Sequence, residues 1–382
     1  MIDTAFMMTR VHIFRSPNKI IFGNGAVAQV GSEAVGLGAK KALIVTDEGV
    51  VKAGLTASVE DSLKKQSINY VMFARVQAEP PAHIADDCAQ EAQENGCDII
   101  IGIGGGSSLD VAKGASIVAT NEGRVLDYIG NDMVSRAGIP KILIPTTAGT
   151  GSEVTRVFVV TDEKNNQKKV VFSDFNLADV AIVDPMLTLS MPPKVTADTG
   201  IDALVHAIET YVARNATPFS DILALEAIRL IGQFLPMAYA KGENMEARFN
   251  MSLAATVAGL AFGSGGVGAV HALGYVLGTE YHLSHGRTNA IMLPYVVDYN
   301  KTANVVKFAN IARAMGEKAV GLSDFQLAEQ LVVNLHQLLE NLGIAAKLSD
   351  YGISADDLPK LVAGGMSQRR LFANNPRDLT EE

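Results

Sequence analysis

Residues 98–113 read D-I-I-I-G-I-G-G-G-S-S-L-D-V-A-K, and this stretch decides the fold. Residues 98–103 form a short apolar run that predicts a buried strand, and residues 109–119 carry a helical pattern. The glycines between them allow a tight turn and let backbone N–H groups approach a phosphate at the start of the helix. Their spacing matches neither common phosphate-loop motif, so a purely structural turn is the alternative.

The first half of the chain contains further apolar runs, each ending at a glycine, a proline or a polar turn. These runs are residues 19–22, 42–47, 70–73, 141–147 and 180–185. Short apolar runs of this kind are typical of parallel strands that are buried on both faces. With helices at residues 86–95 and 109–119 between strands, the pattern predicts βαβ units and an open parallel sheet.

Past Pro193 the pattern changes to long amphipathic segments with almost no strand signal. These segments are residues 195–211, 220–240, 245–262, 305–314, 323–342 and 356–363. We therefore predict an α/β + all-α chain. Residues 1–190 would form a Rossmann-like, parallel-sheet nucleotide-binding domain, and residues 191–382 an all-helical metal- and substrate-binding domain.

Composition excludes several classes of protein. The chain has 382 residues, of which 48% are hydrophobic, and a net charge of −9. This describes a globular protein, and its acidity argues against nucleic acid or an anionic membrane as a partner. Cys88 and Cys97 provide no disulfide framework, which favours a reduced, cytoplasmic setting. The sequence shows no run of 18 apolar residues that would suggest a membrane span and no signal-peptide pattern.

Polar residues follow two other predicted strands. Thr146, Thr147 and Thr150 lie in I-P-T-T-A-G-T-G-S-E, and Asp47 ends L-I-V-T-D. Ligands of an open α/β sheet bind beyond the carboxyl ends of its strands. An acidic residue there can hydrogen-bond a ribose hydroxyl and repel a 2′-phosphate. The alternative for both segments is helix N-capping, but a second polar, glycine-containing loop favours a nucleotide.

The stretch T-G-I-D-A-L-V-H-A-I-E carries Asp202 and His206 four residues apart on a predicted helix. That spacing puts both side chains on one helix face. Taken alone, such a pair is more often a surface hydrogen bond than part of a metal site.

Two later histidines, His271 and His285, enlarge the set to one carboxylate and three imidazoles. Such a set suits a divalent transition metal such as Fe²⁺ or Zn²⁺. In one straight helix the two histidines would lie roughly 21 Å apart. The chain must therefore break between them to bring both to one ion, and Gly278 and Gly286 are the predicted break points.

Five segments, in this order and spacing, resemble the iron-dependent (group III) alcohol dehydrogenases along nearly the whole chain. They are G-G-G-S-S-L-D-V-A-K, I-P-T-T-A-G-T-G-S-E-V-T, A-I-V-D-P, G-I-D-A-L-V-H-A-I-E and H-A-L-G-Y-V-L-G…H-G…N-A-I-M-L-P-Y. The resemblance implies a dehydroquinate synthase-like fold and hydride transfer between NAD(H) and a small primary alcohol, diol or aldehyde. It also implies a homodimer.

The resemblance also implies site residues. The implied metal ligands, for Fe²⁺ or alternatively Zn²⁺, are Asp202, His206, His271 and His285. The implied cofactor contacts are Asp47, Gly105, Gly106, Ser107, Asp110, Thr146, Thr147, Thr150, Lys168 and Leu187. Asp47 matches the position whose acid is associated with a preference for NAD.

Three further residues are candidates for catalysis. Many relatives carry a histidine four residues after His271, where this chain has Tyr275. An ordinary phenol, with a pKa of about 10, is a poorer proton relay at neutral pH than an imidazole. Phe262 matches a position that lines the substrate pocket. His282 is the nearest spare imidazole, and a surface or core role is its alternative.

Two other functions are compatible with parts of this pattern. One is a zinc enzyme of the same fold, either a glycerol-dehydrogenase-like polyol dehydrogenase or a dehydroquinate-synthase-like lyase. The other is a non-catalytic nucleotide-binding sensor, which only Tyr275 favours. The Asp202/His206 pair, together with the H-A-L-G and P-T-T-A-G-T-G-S-E segments, speaks against the zinc enzymes.

Overall fold

A computed structural model describes residues 9–165 and 167–381 of the chain. The chain divides into two compact units. One comprises Arg15–Ser190, and the other comprises Met191–Glu382 together with the described residues before Arg15. The first contains a parallel sheet with helices, and the described part of the second is helical. The predicted fold class is confirmed.

Strands β1 to β9 are Lys19–Phe22, Lys41–Val45, Asn69–Phe73, Ile99–Gly104, Gly130–Asn131, Lys141–Pro145, Val157–Asp162, Gln167–Phe172 and Val180–Val183. Six of them form one sheet in the order β1–β9–β6–β4–β2–β3. All neighbours in this sheet pair in parallel. These six strands correspond to the six apolar runs that the sequence predicts.

The central strands of this sheet, β2, β4, β6 and β9, are buried on both faces. In β4, Ile99 and Ile101 belong to one apolar cluster, whereas Ile100 belongs to another. Because successive side chains of a strand point to opposite faces, these clusters form two core layers. Helices α1 to α5 of this unit are Val30–Gly36, Glu48–Lys52, Ala57–Lys65, Ala82–Glu94 and Gly106–Val118. This arrangement directs the carboxyl ends of β2, β4 and β6 to one edge of the sheet.

A second, three-stranded sheet in the order β5–β8–β7 is absent from the sequence prediction. Strands β7 and β8 pair antiparallel from Val157↔Phe172 to Asp162↔Gln167. Strand β8 reads Q-K-K-V-V-F. Because its first half is polar, it lacks the continuous apolar run by which the other strands were predicted.

The second unit is built from helices α6 to α14. They are Pro193–Val212, Pro218–Ala240, Met245–Gly265, Ala269–Tyr281, His285–Asn300, Val305–Ala314, Asp324–Asn341, Leu358–Met366 and Arg369–Asn374. Helix α7 and the bent pair α8–α9 have the length and composition of membrane spans. This is weak evidence for a membrane span, because mostly buried core helices pass the same test. Helix α7 packs on α6 and α8 and buries Ala224, Ile228 and Leu235, as a core helix of a globular unit does.

The chain does break between His271 and His285, but at a different point from the predicted one. Helix α9 continues through Gly278 to Tyr281, and α10 begins at His285. The turn is made at His282, which adopts a left-handed conformation with φ of 55°. Histidine is among the residues that enter this region more often than most, so the break requires no glycine.

Candidate functional site

The four predicted metal ligands lie together in the helical unit. Asp202 and His206 come from α6, His271 from α9, and His285 is the first residue of α10. Each offers one ligand atom, and these four atoms lie within 4.8 Å of one another. Asp202, His206 and His271 are buried, and His285 is half-buried. The group is thus a compact set of donors on three helices.

Glu209 connects α6 to the histidine on α9. Its Oε2 lies 2.6 Å from Nδ1 of His271, and its Oε1 accepts a 2.6 Å hydrogen bond from the backbone N–H of Val270. The sequence analysis missed Glu209. It lies seven residues after Asp202 and three after His206, so the helical periodicity that groups those two also includes it.

The donors fit a metal ion. Nε2 of His271 is buried and forms no hydrogen bond within the described residues. An unsatisfied buried polar atom costs about 1–3 kcal/mol, and an ion among the four donors would satisfy it. Three imidazoles and one carboxylate are also the ligand types that Fe²⁺ and Zn²⁺ accept.

Asp202 is held as a carboxylate. Burial favours its protonated form, but the neighbouring imidazoles, His206 foremost, outweigh burial and keep the pKa of Asp202 below its usual 3.8. The amide of Asn289 adds a hydrogen bond of 2.8 Å to Asp202 Oδ1 and lies 3.3 Å from Nε2 of His285. Asn289 therefore links Asp202 on α6 to His285 on α10.

The predicted nucleotide loops meet at the carboxyl ends of β2, β4 and β6 in the other unit. Asp47 caps α2 by accepting from Val50 N at 3.0 Å, and its second oxygen accepts from Ser108 Oγ at 3.3 Å. The N-cap alternative for Asp47 is therefore observed. The same carboxylate also contacts the first turn of α5.

The glycine turn contacts the threonine loop. Gly105 caps α5 and Gly106 begins it. A Cβ on Gly106 would lie 2.8 Å from Cγ2 of Thr150, and one on Gly105 would lie 3.7 Å from Cγ2 of Thr147. The N–H of Thr146 bonds the Gly104 carbonyl at 2.9 Å. Glycine thus allows the two loops to approach closely.

Two other predicted cofactor contacts meet at Glu79. Lys168 Nζ lies 2.7 Å from Glu79 Oε1, and Ser107 Oγ accepts from the Glu79 N–H at 3.3 Å. The carboxylate of Glu79 therefore points toward Lys168.

Asp110 supports the threonine loop from within the unit. Its carboxylate accepts from Ser152 Oγ at 2.6 Å and from Val159 N at 2.9 Å. Lys113 Nζ also donates to Ser152 Oγ at 2.8 Å. Burial raises the pKa of Asp110 and lowers that of Lys113 to about 8. Leu187 lies just after β9 and packs in the core. For Asp110 and Leu187, direct contact with a cofactor stays a prediction.

Comparisons with known proteins agree with this geometry. Residues 17–185 match the family described as Iron-containing alcohol dehydrogenase. Residues 196–382 match the Fe-containing alcohol dehydrogenase family, C-terminal.

The chain belongs to the iron-containing alcohol dehydrogenase family.

Individual relatives of this alcohol dehydrogenase are similar over nearly their whole length. Long-chain-alcohol dehydrogenase 1 of Geobacillus thermodenitrificans is 43% identical, covering 94% of this chain and 91% of the relative. A 1,3-propanediol oxidoreductase structure has a TM-score of 0.95 at 39% identity, covering 97% of each chain. Sulfoacetaldehyde reductase from Bifidobacterium kashiwanohense in complex with NAD+ has a TM-score of 0.88 at 31% identity, covering 97% of this chain and 96% of that one.

These matches establish the class of activity. The protein is an NAD-dependent, metal-dependent alcohol dehydrogenase that transfers a hydride between NAD(H) and an alcohol or aldehyde. Its family uses NAD and iron. The alternatives of a zinc polyol dehydrogenase, a lyase and a non-catalytic sensor are not supported.

Two aromatic rings lie close to the histidines of the four-donor group. Phe262 stacks on His206 with ring centroids 4.9 Å apart. The Tyr275 ring lies 5.6 Å from that of His285 and 6.3 Å from that of His271. Phe262 and Tyr275, together with Phe372, also pack against a small apolar cluster that the sequence analysis did not predict: Val267, Ala272 and Leu371. His282 is exposed at the end of α9, and its catalytic role stays a prediction.

The start of α10 is fixed against α6 by Asp198. Its carboxylate accepts from Ser284 Oγ and from Arg287 Nε, each at 2.8 Å. A Cβ on Gly286 would lie 2.2 Å from the backbone oxygen of Asp198. Only glycine allows this approach, which holds His285 beside Asp202.

Gly286→Ala is expected to weaken both metal binding and stability. The new methyl group must push α10 away from the α6 backbone, at a cost of about 1–3 kcal/mol, and His285 moves with α10. Chemical denaturation and metal analysis of the purified protein would measure the two effects. Gly36→Ala is the control, since a Cβ there meets nothing within 4 Å. Wild-type metal content and stability in Gly286→Ala would contradict the expectation.

Proposed function

We propose that Asp202, His206, His271 and His285 hold the Fe²⁺ of this dehydrogenase, with Zn²⁺ as an alternative ion. We propose further that the substrate is a small primary alcohol, diol or aldehyde. One observation carries the proposal: four donor atoms lie within 4.8 Å of one another. The unsatisfied Nε2 of His271 adds support.

The chemistry divides between the bound groups and the side chains. When bound, the ion would withdraw electron density from the substrate oxygen, and NAD(H) would accept or supply the hydride. Phe262, stacked on His206, would limit water around the reacting carbon. The ring of Tyr275 lies close to those of His271 and His285, and its hydroxyl would donate a hydrogen bond to the substrate oxygen. Tyr275 would thus orient the substrate at the point where many relatives use histidine.

The roles of the two units follow from where these groups lie. We propose Arg15–Ser190, the unit that makes up most of the predicted domain 1–190, as the NAD-binding domain, because it contains the loops at the ends of β2, β4 and β6. Residues 191–382 would be the metal- and substrate-binding domain. We also propose a cytoplasmic homodimer. The free, buried Cys88 and Cys97 support a reducing compartment. Light scattering should give twice the 40.4 kDa chain mass, and a monomer would overturn the dimer.

Enzyme assays test the proposed function. Protein purified without oxygen and loaded with Fe²⁺ or Zn²⁺ should oxidise NADH in the presence of a short aldehyde. The panel should include simple aldehydes, hydroxyaldehydes and anionic aldehydes, because the relatives differ in their named substrates. Failure with the whole panel, with both metals and both NADH and NADPH, would overturn the proposal.

Asp47→Ser is expected to raise the kcat/KM ratio of NADPH over NADH by at least about tenfold, which needs only about 1.4 kcal/mol. The carboxylate repels a 2′-phosphate, whereas serine still caps α2. The control is Asp61→Ser, which removes a surface carboxylate of α3. An unchanged ratio in Asp47→Ser would contradict the role of Asp47.

A further inference from the structure

We infer that Glu209 is a positioning residue that selects the nitrogen of His271 available to the metal. The inference rests on the proposed metal site. It concerns a side chain that contacts one ligand and belongs to the same helix as two others. Glu209 would act through His271, without touching the ion or the substrate.

The geometry determines which nitrogen carries the proton. An ionised carboxylate only accepts hydrogen bonds, so the 2.6 Å contact between Glu209 Oε2 and His271 Nδ1 requires the proton on Nδ1. A neutral imidazole carries one N–H. The lone pair is therefore on Nε2, which is buried and forms no hydrogen bond within the described chain. Glu209 thereby prepares Nε2 as the ligand atom.

Only a carboxylate accepts a hydrogen bond at both contacts of Glu209. Its Oε1 accepts from the N–H of Val270 while Oε2 accepts from His271. A glutamine has one acceptor oxygen, and its NH₂ group would face a second N–H donor. Glu209→Gln keeps the size of the side chain, but it must either lose one of these two hydrogen bonds or keep both by moving the His271 proton to Nε2, the ligand atom.

A purely structural role is the competing explanation. Val270 is the second residue of α9, and a carboxylate at a helix N-terminus stabilises the helix through its dipole and its free N–H groups. In that case Glu209→Gln would lower the stability of the protein but leave the metal affinity of the folded protein unchanged. Metal affinity and His271 protonation therefore separate the two explanations.

The first experiment measures Zn²⁺ affinity of the full-length protein by competition with a chromogenic chelator. We expect Glu209→Gln to bind about 10–100 times more weakly than wild type, as for other residues that orient a metal-binding histidine. Glu226→Gln is the matched control, because Glu226 lies on the exposed side of α7 and pairs with Arg229. A folded Glu209→Gln with affinity within twofold of wild type would overturn the inference.

A second measurement keeps the test valid if Glu209→Gln does not fold. Long-range ¹H–¹⁵N NMR of the metal-free, ¹⁵N-histidine-labelled wild type reports which ring nitrogen is protonated. His271, assigned from the peak missing in His271→Gln, should carry its proton on Nδ1, and a proton on Nε2 would overturn the inference. If His271→Ala keeps the wild-type affinity for Zn²⁺, the proposed metal site is wrong. If His271→Ala loses the metal but Glu209→Gln keeps it, the metal site stands and only the inferred role of Glu209 is wrong.

Discussion

His271→Ala is expected to lose the bound metal and at least about 10³-fold of kcat/KM, because metal stabilisation of the developing charge is worth several kcal/mol. The substitution removes one of four donors that lie within 4.8 Å of one another. It also leaves Oε2 of Glu209 buried without its partner Nδ1. Metal analysis and NADH-dependent aldehyde reduction would measure the two losses together.

The control for this prediction is His336→Ala. His336 lies in α12 of the same unit, where its ring contacts that of Tyr295. This variant loses an imidazole without touching the cluster, so its metal content and kcat/KM should match wild type. Stoichiometric metal in His271→Ala would show that His271 is a structural histidine.

Lys307→Met is expected to cost about 3–5 kcal/mol of the free energy of unfolding, as breaking a buried ion pair does. Lys307 Nζ lies 2.9 Å from Oδ2 of Asp221, whose side chain is fully buried, and donates to the Tyr211 carbonyl at 2.6 Å. These contacts join α11 to α7 and α6. Methionine fills the same space but leaves Asp221 without its counter-charge.

Denaturation with urea or guanidinium would measure this loss. Burial raises the pKa of Asp221 even beside Lys307. A raised carboxyl pKa in the folded state favours folding at low pH and loses that contribution as the pH rises, so the loss in Lys307→Met should shrink in acid. Lys52→Met removes an exposed pair with Glu48 and should leave stability near wild type. Equal stabilities of the two variants would contradict the prediction.

The large sheet was predictable because its central strands are buried on both faces. Continuous apolar runs such as β4 are distinctive, and all six produced strands of the sheet. The hairpin of β7 and β8 was not predictable by the same rule, since the first half of β8 is polar. The helix break at His282 was predicted at glycine instead, because a left-handed histidine has no sequence pattern of its own.

The grouping of the four proposed metal ligands was predictable only through the family resemblance. Helical spacing groups Asp202 with His206, but no spacing rule brings His271 and His285 to them across two further helices. For Glu209, in contrast, the sequence does contain a spacing signal. It shares the helix face of Asp202 and His206, so periodicity contains the signal, but its partner on α9 becomes apparent only from the fold.

The hydrogen-bond partners of the predicted cofactor contacts could not be predicted from single residues. Asp110 bonds Ser152 and Val159 in the interior of its unit, and Lys168 pairs with Glu79. Side chains in a nucleotide-binding loop can hold the loop in shape or contact the ligand, and sequence position does not separate these roles. The hydrogen bonds of Asp110 and Lys168 show which groups of the protein they hold, and their contact with a cofactor stays a prediction.

The most direct test of the metal site is anomalous diffraction at the iron edge from crystals of the Fe²⁺-loaded protein. We expect one strong anomalous peak bounded by Oδ1 or Oδ2 of Asp202, a ring nitrogen of His206, Nε2 of His271 and a ring nitrogen of His285. Iron to nitrogen distances should be close to 2 Å, as for imidazole ligands of similar divalent ions. An anomalous peak elsewhere in the protein, or none among these four side chains, would contradict the assignment.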